Sequence, residues 1–251
     1  MDYANEKITP YNSEDAKTGQ VRQMFDSIAP AYDFMNAMMS FGIFRHWRNK
    51  AVEIVASHKP RRILDVATGT GDMAIHLCTA VKPDHITGID LSSGLLEIGR
   101  RKVQEEGLEG IITLEEGDCM RMRFEDGSFD CVTVAYGVRN FEHLEQGLSE
   151  MHRVLSPGGM LCVIELSTPT NPVARLGYNI YTKHVIPFVG KLKSHDVRAY
   201  SYLPESIAAS PQRNAMLDVM RRAGFVDCEF KAMTFSTCTI YVGKKTKNNL
   251  G

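Results

Sequence analysis

Asp65, Asp90 and Asp118 each stand at or just past the end of a short apolar run, and Gly69 and Gly71 follow closely on the first of them. Glycine carries no Cβ, so the chain at these two positions can press its backbone against a ligand. The stretch Asp65-Val66-Ala67-Thr68-Gly69-Thr70-Gly71-Asp72 joins the apolar run Ile63 to Val66 to a helix start near Asp72. Free N–H groups of that helix face the same space as the glycine turn, an arrangement that suits a nucleotide-like cofactor. Gly-x-Gly alone is a weak signal. Three carboxylates at the ends of successive predicted strands are a stronger one, because open α/β sheets bind their ligands there. Taken singly, each aspartate also fits a plain role as a helix cap or turn residue.

The acidic residues also bear on which cofactor. Asp90 closes the run Ile86-Thr87-Gly88-Ile89, about 20 residues beyond the glycine turn, where a strand-end carboxylate meets ribose hydroxyls. NAD and S-adenosylmethionine both satisfy that. Asp65 separates them: a carboxylate just before the first glycine repels a pyrophosphate and favours a sulfonium and an ammonium. Asp118, after the run Ile111 to Leu114, can accept a hydrogen bond from an adenine amino group.

The elements that must carry these residues read as alternating strands and helices. Strands are predicted near 62–67, 85–90, 111–115, 129–135 and 159–166, with helices near 72–81, 92–106 and 143–155. This alternation predicts a parallel sheet with helices on both faces. Residues 13–57 read as helical, with Val21, Met24, Phe25 and Ile28 on one face before Pro30 interrupts. Prolines and aromatics break the rhythm over 168–205, which predicts a cover over the site. A helix at 211–223 and paired strands at 226–232 and 237–243 close the chain. In Ser156-Pro157-Gly158-Gly159, Pro157 is expected to stop the preceding helix and Gly158 to supply a left-handed cap.

Composition narrows the function. The 251 residues carry 29 basic and 30 acidic side chains, a net charge of −1, which offers no basic footprint for nucleic acid. The six cysteines form no Cys-x-x-Cys pair and read as reduced core residues. Eight histidines lack metal-ligand spacing, so no metal site is expected. The polar start has no signal-peptide core and no apolar run is long enough to cross a membrane, which predicts a cytoplasmic protein with room for peripheral membrane contact.

With these residues placed, the chain resembles class I S-adenosylmethionine-dependent methyltransferases from about Arg61 to Glu165. The likeness is carried by Leu64 to Gly71, the strand-end Asp90, Gly117-Asp118 and Leu155-Ser156-Pro157-Gly158-Gly159. Ala67 departs from the glycine often found at its position. A closer resemblance, to the menaquinone and ubiquinone biosynthesis C-methyltransferases of the UbiE/MenG/Coq5 group, runs over most of the chain. It rests on the segments Val21 to Asn36, Tyr136-Gly137-Val138-Arg139-Asn140 and Ser201 to Ile207.

The resemblance implies one α/β domain over 1–251, a Rossmann-like class I methyltransferase fold with a seven-stranded, mostly parallel sheet. Within it are expected an N-terminal helical cap at 1–60, a cofactor core at 61–167, a substrate-side cover at 168–205 and a C-terminal helix and strands at 206–251. It implies S-adenosyl-L-methionine as cofactor, with Asp65, Gly69, Thr70 and Gly71 at its methionine part, Asp90 and Leu91 at the ribose, and Asp118 and Cys119 at the adenine. The implied reaction is C-methylation of a prenylated quinol, demethylmenaquinol to menaquinol, with the ubiquinone-pathway benzoquinol as alternative or second substrate. Arg139 and Asn140 then sit beside the quinol, the guanidinium stabilising a phenolate and the amide holding a hydroxyl or water. His143 is a candidate base, and Tyr32, Tyr136, Tyr200 and Tyr202 are alternative hydroxyls for the ring.

Two apolar clusters, Met35, Met38, Met39, Phe41, Ile43, Phe44 and Trp47, and Ile186-Pro187-Phe188-Val189, are candidates to take a prenyl tail or dip into a membrane, against ordinary packing as the plainer role. A homodimer is compatible with the sequence. Other readings stay open: a methyltransferase of a soluble small molecule, a silent protein that binds the cofactor without turnover, and a nicotinamide oxidoreductase.

Overall fold

The computed structural model describes residues 3–11, 13–34, 42–185 and 197–247. Their core is a seven-stranded sheet in the order β3-β2-β1-β4-β5-β7-β6. The strands are β1 (Arg62–Val66), β2 (His85–Asp90), β3 (Ile112–Glu116), β4 (Phe129–Ala135), β5 (Leu155–Leu166), β6 (Val226–Met233) and β7 (Cys238–Lys244). The first five run parallel, and β7 lies antiparallel to both β5 and β6. Strand order therefore reverses between β1 and β4, and it is outside the carboxyl ends of strands at such a switch point that open sheets bind ligands.

The helices are α1 (Lys17–Ile28), α2 (Ile43–His58), α3 (Asp72–Val81), α4 (Ser93–Glu105), α5 (Leu144–Val154), α6 (Pro172–Ile180), α7 (Val197–Ala209) and α8 (Asn214–Arg222). Alternation along each strand divides the core. Ile63 and Cys131 pack with Trp47, Val52 and Val55 of α2 and Leu77 of α3, whereas Leu64 and Val132 pack with Leu148 and Met151 of α5 and Val219 of α8. Burying a side chain of this size is worth about 1.5–3 kcal/mol, so the two layers fix the sheet firmly.

Three expectations need correction. Of the N-terminal cap expected at 1–60, helix α2 packs in the layer on one sheet face and reaches the site only by its first turns, whereas α1 and the 3-10 turn Ala29–Ala31 that continues it lie over the site. The cover contains helices α6 and α7, and α7 runs past position 205 to Ala209. Helix α5 ends at Val154 with Leu155 as its C-cap, and Pro157 stands two residues beyond, where a proline cannot continue the helix. Gly158 does take a left-handed φ of 79°, but inside β5, where its N–H donates to the Lys245 carbonyl.

Candidate active site

Strand β1 delivers Asp65 to the switch point, where it is fully buried. Its Oδ1 accepts from Thr133 Oγ1 at 2.6 Å, the register partner on β4, and its Oδ2 from Thr68 Oγ1 at 2.7 Å. Desolvation outweighs these bonds and pushes its pKa up to about 6. Asp90 accepts from the Gly69 N–H at 2.8 Å and the Ser92 N–H at 2.9 Å, while burial raises its pKa against those donors. Asp118 accepts from the Met120 N–H at 2.9 Å. Each aspartate thus braces a turn, and each also lines a cavity. The capping and ligand-binding roles coincide.

Two cavities run along this edge. One, of about 60 Å³, is lined by Asp90, Leu91, Asp118, Cys119 and Gly117. The other, of about 260 Å³, is lined by Asp65, Thr68, Thr70 and Asp72. Tyr32, Ala67, Gly69, Ala135 and Tyr136 line both, so the two read as one elongated channel. A molecule with a nucleoside at one end and a cationic amino acid at the other fits this donor set. Asp33, Asp65, Asp72, Asp90 and Asp118 line the channel against two arginines, Arg45 and Arg48, the second of which pairs with Asp72 at 3.0 Å. Gly71 lines neither cavity. Its φ of 75° and its place as N-cap of α3 make it a turn residue that shapes the loop beside the channel.

Sequence reasoning missed the cap's own contribution here. Asp26 on α1 accepts from Ser92 Oγ at 2.6 Å and the Gly94 N–H at 3.1 Å, capping α4 from a distance. Asp33 accepts from Thr70 Oγ1 at 2.8 Å and pairs with Lys102 at 2.5 Å. Thr70 is therefore tied to the cap through its hydroxyl. Both aspartates lay in the quoted segment Val21 to Asn36, but nothing in their spacing revealed their partners.

A third cavity, of about 700 Å³, opens beside the channel under the cap and the cover. Its lining is mainly apolar and aromatic, from Met24, Phe25 and Ile28 of α1, Phe44 and Trp47 of α2, and residues of α6 and α7. Tyr32 and Tyr136 border all three cavities, so the channel and the large cavity meet between them. Phe44 stacks on Tyr136 with ring centroids 4.8 Å apart. Of the expected tail-binding cluster, Ile43, Phe44 and Trp47 line this cavity, and Trp47 also packs in the core with its indole N–H donating to Thr234 at 2.8 Å. Met35, Met38, Met39, Phe41, Ile186 to Val189 and the Tyr200 side chain lie outside the described residues.

Arg139 and Asn140 sit on the 3-10 turn Val138–Asn140 that follows β4, both buried and both lining the large cavity. Asn140 also lines the Asp90 end of the channel, so it stands on the wall between the two. The Arg139 guanidinium pairs with Glu165 of β5 at 2.8 Å, and the Arg139 N–H donates to the other Glu165 oxygen at 3.2 Å. Burial alone would lower the guanidinium pKa, and the Glu165 charge holds it above its ordinary value. Glu165 went unnoticed in the sequence because it ends an apolar strand and nothing local marks its partner. His143, the expected candidate base, is exposed, makes no side-chain capping bond at the start of α5 and lines none of the three cavities, so the structure does not bring it to the ring site.

The sequence pattern of the ubiE/COQ5 methyltransferase family matches residues 12–245. The chain is 48% identical over 245 residues to a demethylmenaquinone methyltransferase of Bacteroides fragilis, covering 98% of this chain and 100% of the relative. It is 41% identical to a ubiquinone/menaquinone biosynthesis C-methyltransferase of Geobacter sulfurreducens, over 98% of this chain and 95% of the relative. Among solved structures, phosphoethanolamine N-methyltransferase 2 of Haemonchus contortus, in complex with S-adenosyl-L-methionine, superposes with a TM-score of 0.58 at 16% identity, covering 79% of this chain and 53% of that one. That likeness concerns the fold alone.

Proposed function

This chain belongs to the ubiE/COQ5 methyltransferase family, and from that premise we infer that it methylates a ring carbon of demethylmenaquinol, using S-adenosyl-L-methionine, in menaquinone biosynthesis. The observation that carries the reading is the junction at Tyr32 and Tyr136, where an acidic channel meets a large apolar cavity holding one buried guanidinium. Bound in the channel, the cofactor supplies an electrophilic methyl group on a sulfonium.

The chain's own residues do the rest. Asp65, Thr70 and Gly69 form the amino-acid end of the channel, and Asp90, Leu91, Asp118 and Cys119 the nucleoside end. Asp65 and Asp90 favour a cationic ligand over an anionic one. Aromatic side chains of the large cavity clamp a flat ring and exclude water, and orientation of this kind supplies up to about 7–11 kcal/mol in well-aligned systems. Arg139 stabilises negative charge on the ring oxygen, which pushes electron density onto the carbon that attacks. Glu165 keeps that guanidinium in place and protonated.

Lipid delivery follows the same geometry. Val173, Leu176 and Ile180 form an exposed apolar stripe on α6, next to the residues by which that helix lines the cavity. In this reading the stripe rests on the cytoplasmic face of a membrane while the prenyl tail enters beside it. Among the described residues no helix is long and apolar enough to cross the bilayer. Flotation with anionic liposomes tests the contact, and leaving the protein at the bottom of the gradient would refute it.

The activity itself is tested by incubating the purified protein with labelled cofactor and, separately, the reduced naphthoquinol and benzoquinol precursors, and following product mass. A gain of one methyl on the naphthoquinol is expected. Label appearing on neither ring would defeat the reading.

A further inference from the structure

Within the largely apolar large cavity, five buried polar atoms have no hydrogen-bond partner: the hydroxyls of Tyr136, Tyr178 and Tyr202, Arg139 Nε and Asn140 Oδ1. Buried polar groups are paired as a rule, so five orphans around one cavity mark where a ligand's polar atoms go. Four of the five are able to donate. Among the described residues no carboxylate and no histidine lines the cavity, and Arg139 is its one charged side chain. Glu165, behind Arg139, is taken up by the guanidinium and two backbone N–H groups. The cavity is rich in donors and holds no evident base.

We propose that Tyr178 of α6 and Tyr202 of α7 complete, with Arg139, an oxyanion hole that binds the substrate as its phenolate, so that the ring hydroxyl surrenders its proton to water and no side chain acts as base. This deepens the reading above and rests on it for the identity of the substrate. The proton balance is simple: before the cover closes the O–H bond breaks, both electrons stay on the ring oxygen, and bulk water carries the proton away. Donors aimed at a charged oxygen in a dry site are worth far more than in water. Tyr202 is 2% exposed, and the Arg139 charge acts on both phenols. Burial holds Tyr178 at about 12 and pushes Tyr202 up as well, so each keeps its proton and stays a donor. Arg139 bears on both hydroxyls, and Glu165 and Glu205 bear on that of Tyr202, while Tyr32, Tyr136 and Tyr181 line the same cavity.

Both tyrosines come from the cover, so the hole exists only when the cover is in place. That couples ionisation of the ring to exclusion of water.

The test uses 4-nitro-1-naphthol, whose absorbance reports its own ionisation, bound to the full chain with S-adenosylhomocysteine present. Bound to the wild type, its apparent pKa is expected to fall by about one unit or more, a tenfold gain in ionised form. Tyr178→Phe and Tyr202→Phe keep the ring packing and remove one donor each. Each is expected to return that pKa upward, to lower kcat on the naphthoquinol at least tenfold near neutral pH, and to shift the acid limb of kcat to higher pH, with cofactor affinity unchanged. A probe that fails to bind, binds neutral to the wild type, or shows one pKa in all three proteins overturns the inference. Ionised probe on a wild type that turns over no quinol would instead sink the assigned substrate and leave the anion site standing.

Discussion

Asp65, Asp90 and Asp118 reach the cofactor channel at the ends of three neighbouring strands, whereas Tyr32, Arg139, Tyr178 and Tyr202 reach the large cavity from segments spread over most of the chain. In the first region parallel topology places the groups, because each strand ends at the same edge of the sheet. In the second, helix packing places them and no period in the sequence records it. The first should therefore tolerate loss of a single carboxylate as a loss of binding. The second should answer loss of a single charge as a loss of fold.

Glu165→Ala tests this with the largest expected effect. It leaves the Arg139 guanidinium buried without its partner, a change that costs about 3–5 kcal/mol. At about 2–4 °C per kcal/mol, melting should fall by about 10 °C, read by thermal denaturation. Replacing both, as Arg139→Met with Glu165→Met, removes the charge and its partner together and should restore most of the melting temperature with no activity. A Glu165→Ala protein that melts like the wild type would put the pair outside the packed structure.

Asp90→Ala makes the contrasting case. Its partners are backbone N–H groups at the edge of a channel, so folding should survive while cofactor affinity falls about 30-fold, about 2 kcal/mol for hydrogen bonds to a charged group. Calorimetric titration with S-adenosyl-L-methionine measures it. Unchanged affinity would remove the nucleoside end from this strand.

The same contrast explains what was legible. Strand ends, the glycine turn and the first helices could be placed to within a few residues because apolar runs and turn residues report local geometry. The cofactor carboxylates followed from those ends. Arg139 and Asn140, which line the large cavity, were named through a segment resemblance, whereas Glu165, Tyr178, Asp26 and Asp33 were not named. Their partners lie on other elements, and a lone carboxylate or phenol looks the same in sequence whether it is solvated or buried. His143 was misplaced for the converse reason. Three residues past Asn140 is near along the chain, but the chain turns into α5 there and the side chain faces solvent.

The pH dependence should also divide the halves. Asp65 is raised from an ordinary carboxylate value to about 6 by desolvation, whereas among the described residues of the large cavity Arg139, Tyr136, Tyr178, Tyr181 and Tyr202 all shift upward. A raised folded pKa means that the folded state holds the proton more tightly. The stability due to this group is therefore full below about pH 4 and is lost as pH rises through 6. Cofactor attraction runs the other way, since it needs the charged form. Affinity should be flat above about pH 7 and weaken by up to about tenfold per unit below 6. Asp65→Asn should flatten that limb, and an unchanged limb in the variant would assign it to another group.

The smallest effect concerns where the two halves touch. Ala67 has a φ of 53°, a left-handed conformation that a Cβ disfavours by about 1–2 kcal/mol. A Cβ built on Gly137 would lie 2.6 Å from that of Ala67 and 3.1 Å from Val134 Cγ1. Ala67, at the glycine turn, is thus a main reason that the turn bearing Arg139 must begin with glycine. Ala67→Gly relieves the strain, but it also frees the unfolded chain by about 0.4–1 kcal/mol. The net gain should be about 0.5 kcal/mol, one or two degrees in melting. Gly137→Ala alone should cost about 1–3 kcal/mol through overpacking, and less when combined with Ala67→Gly. Strict additivity of the two changes would show that the cofactor turn and the Arg139 turn do not share this contact.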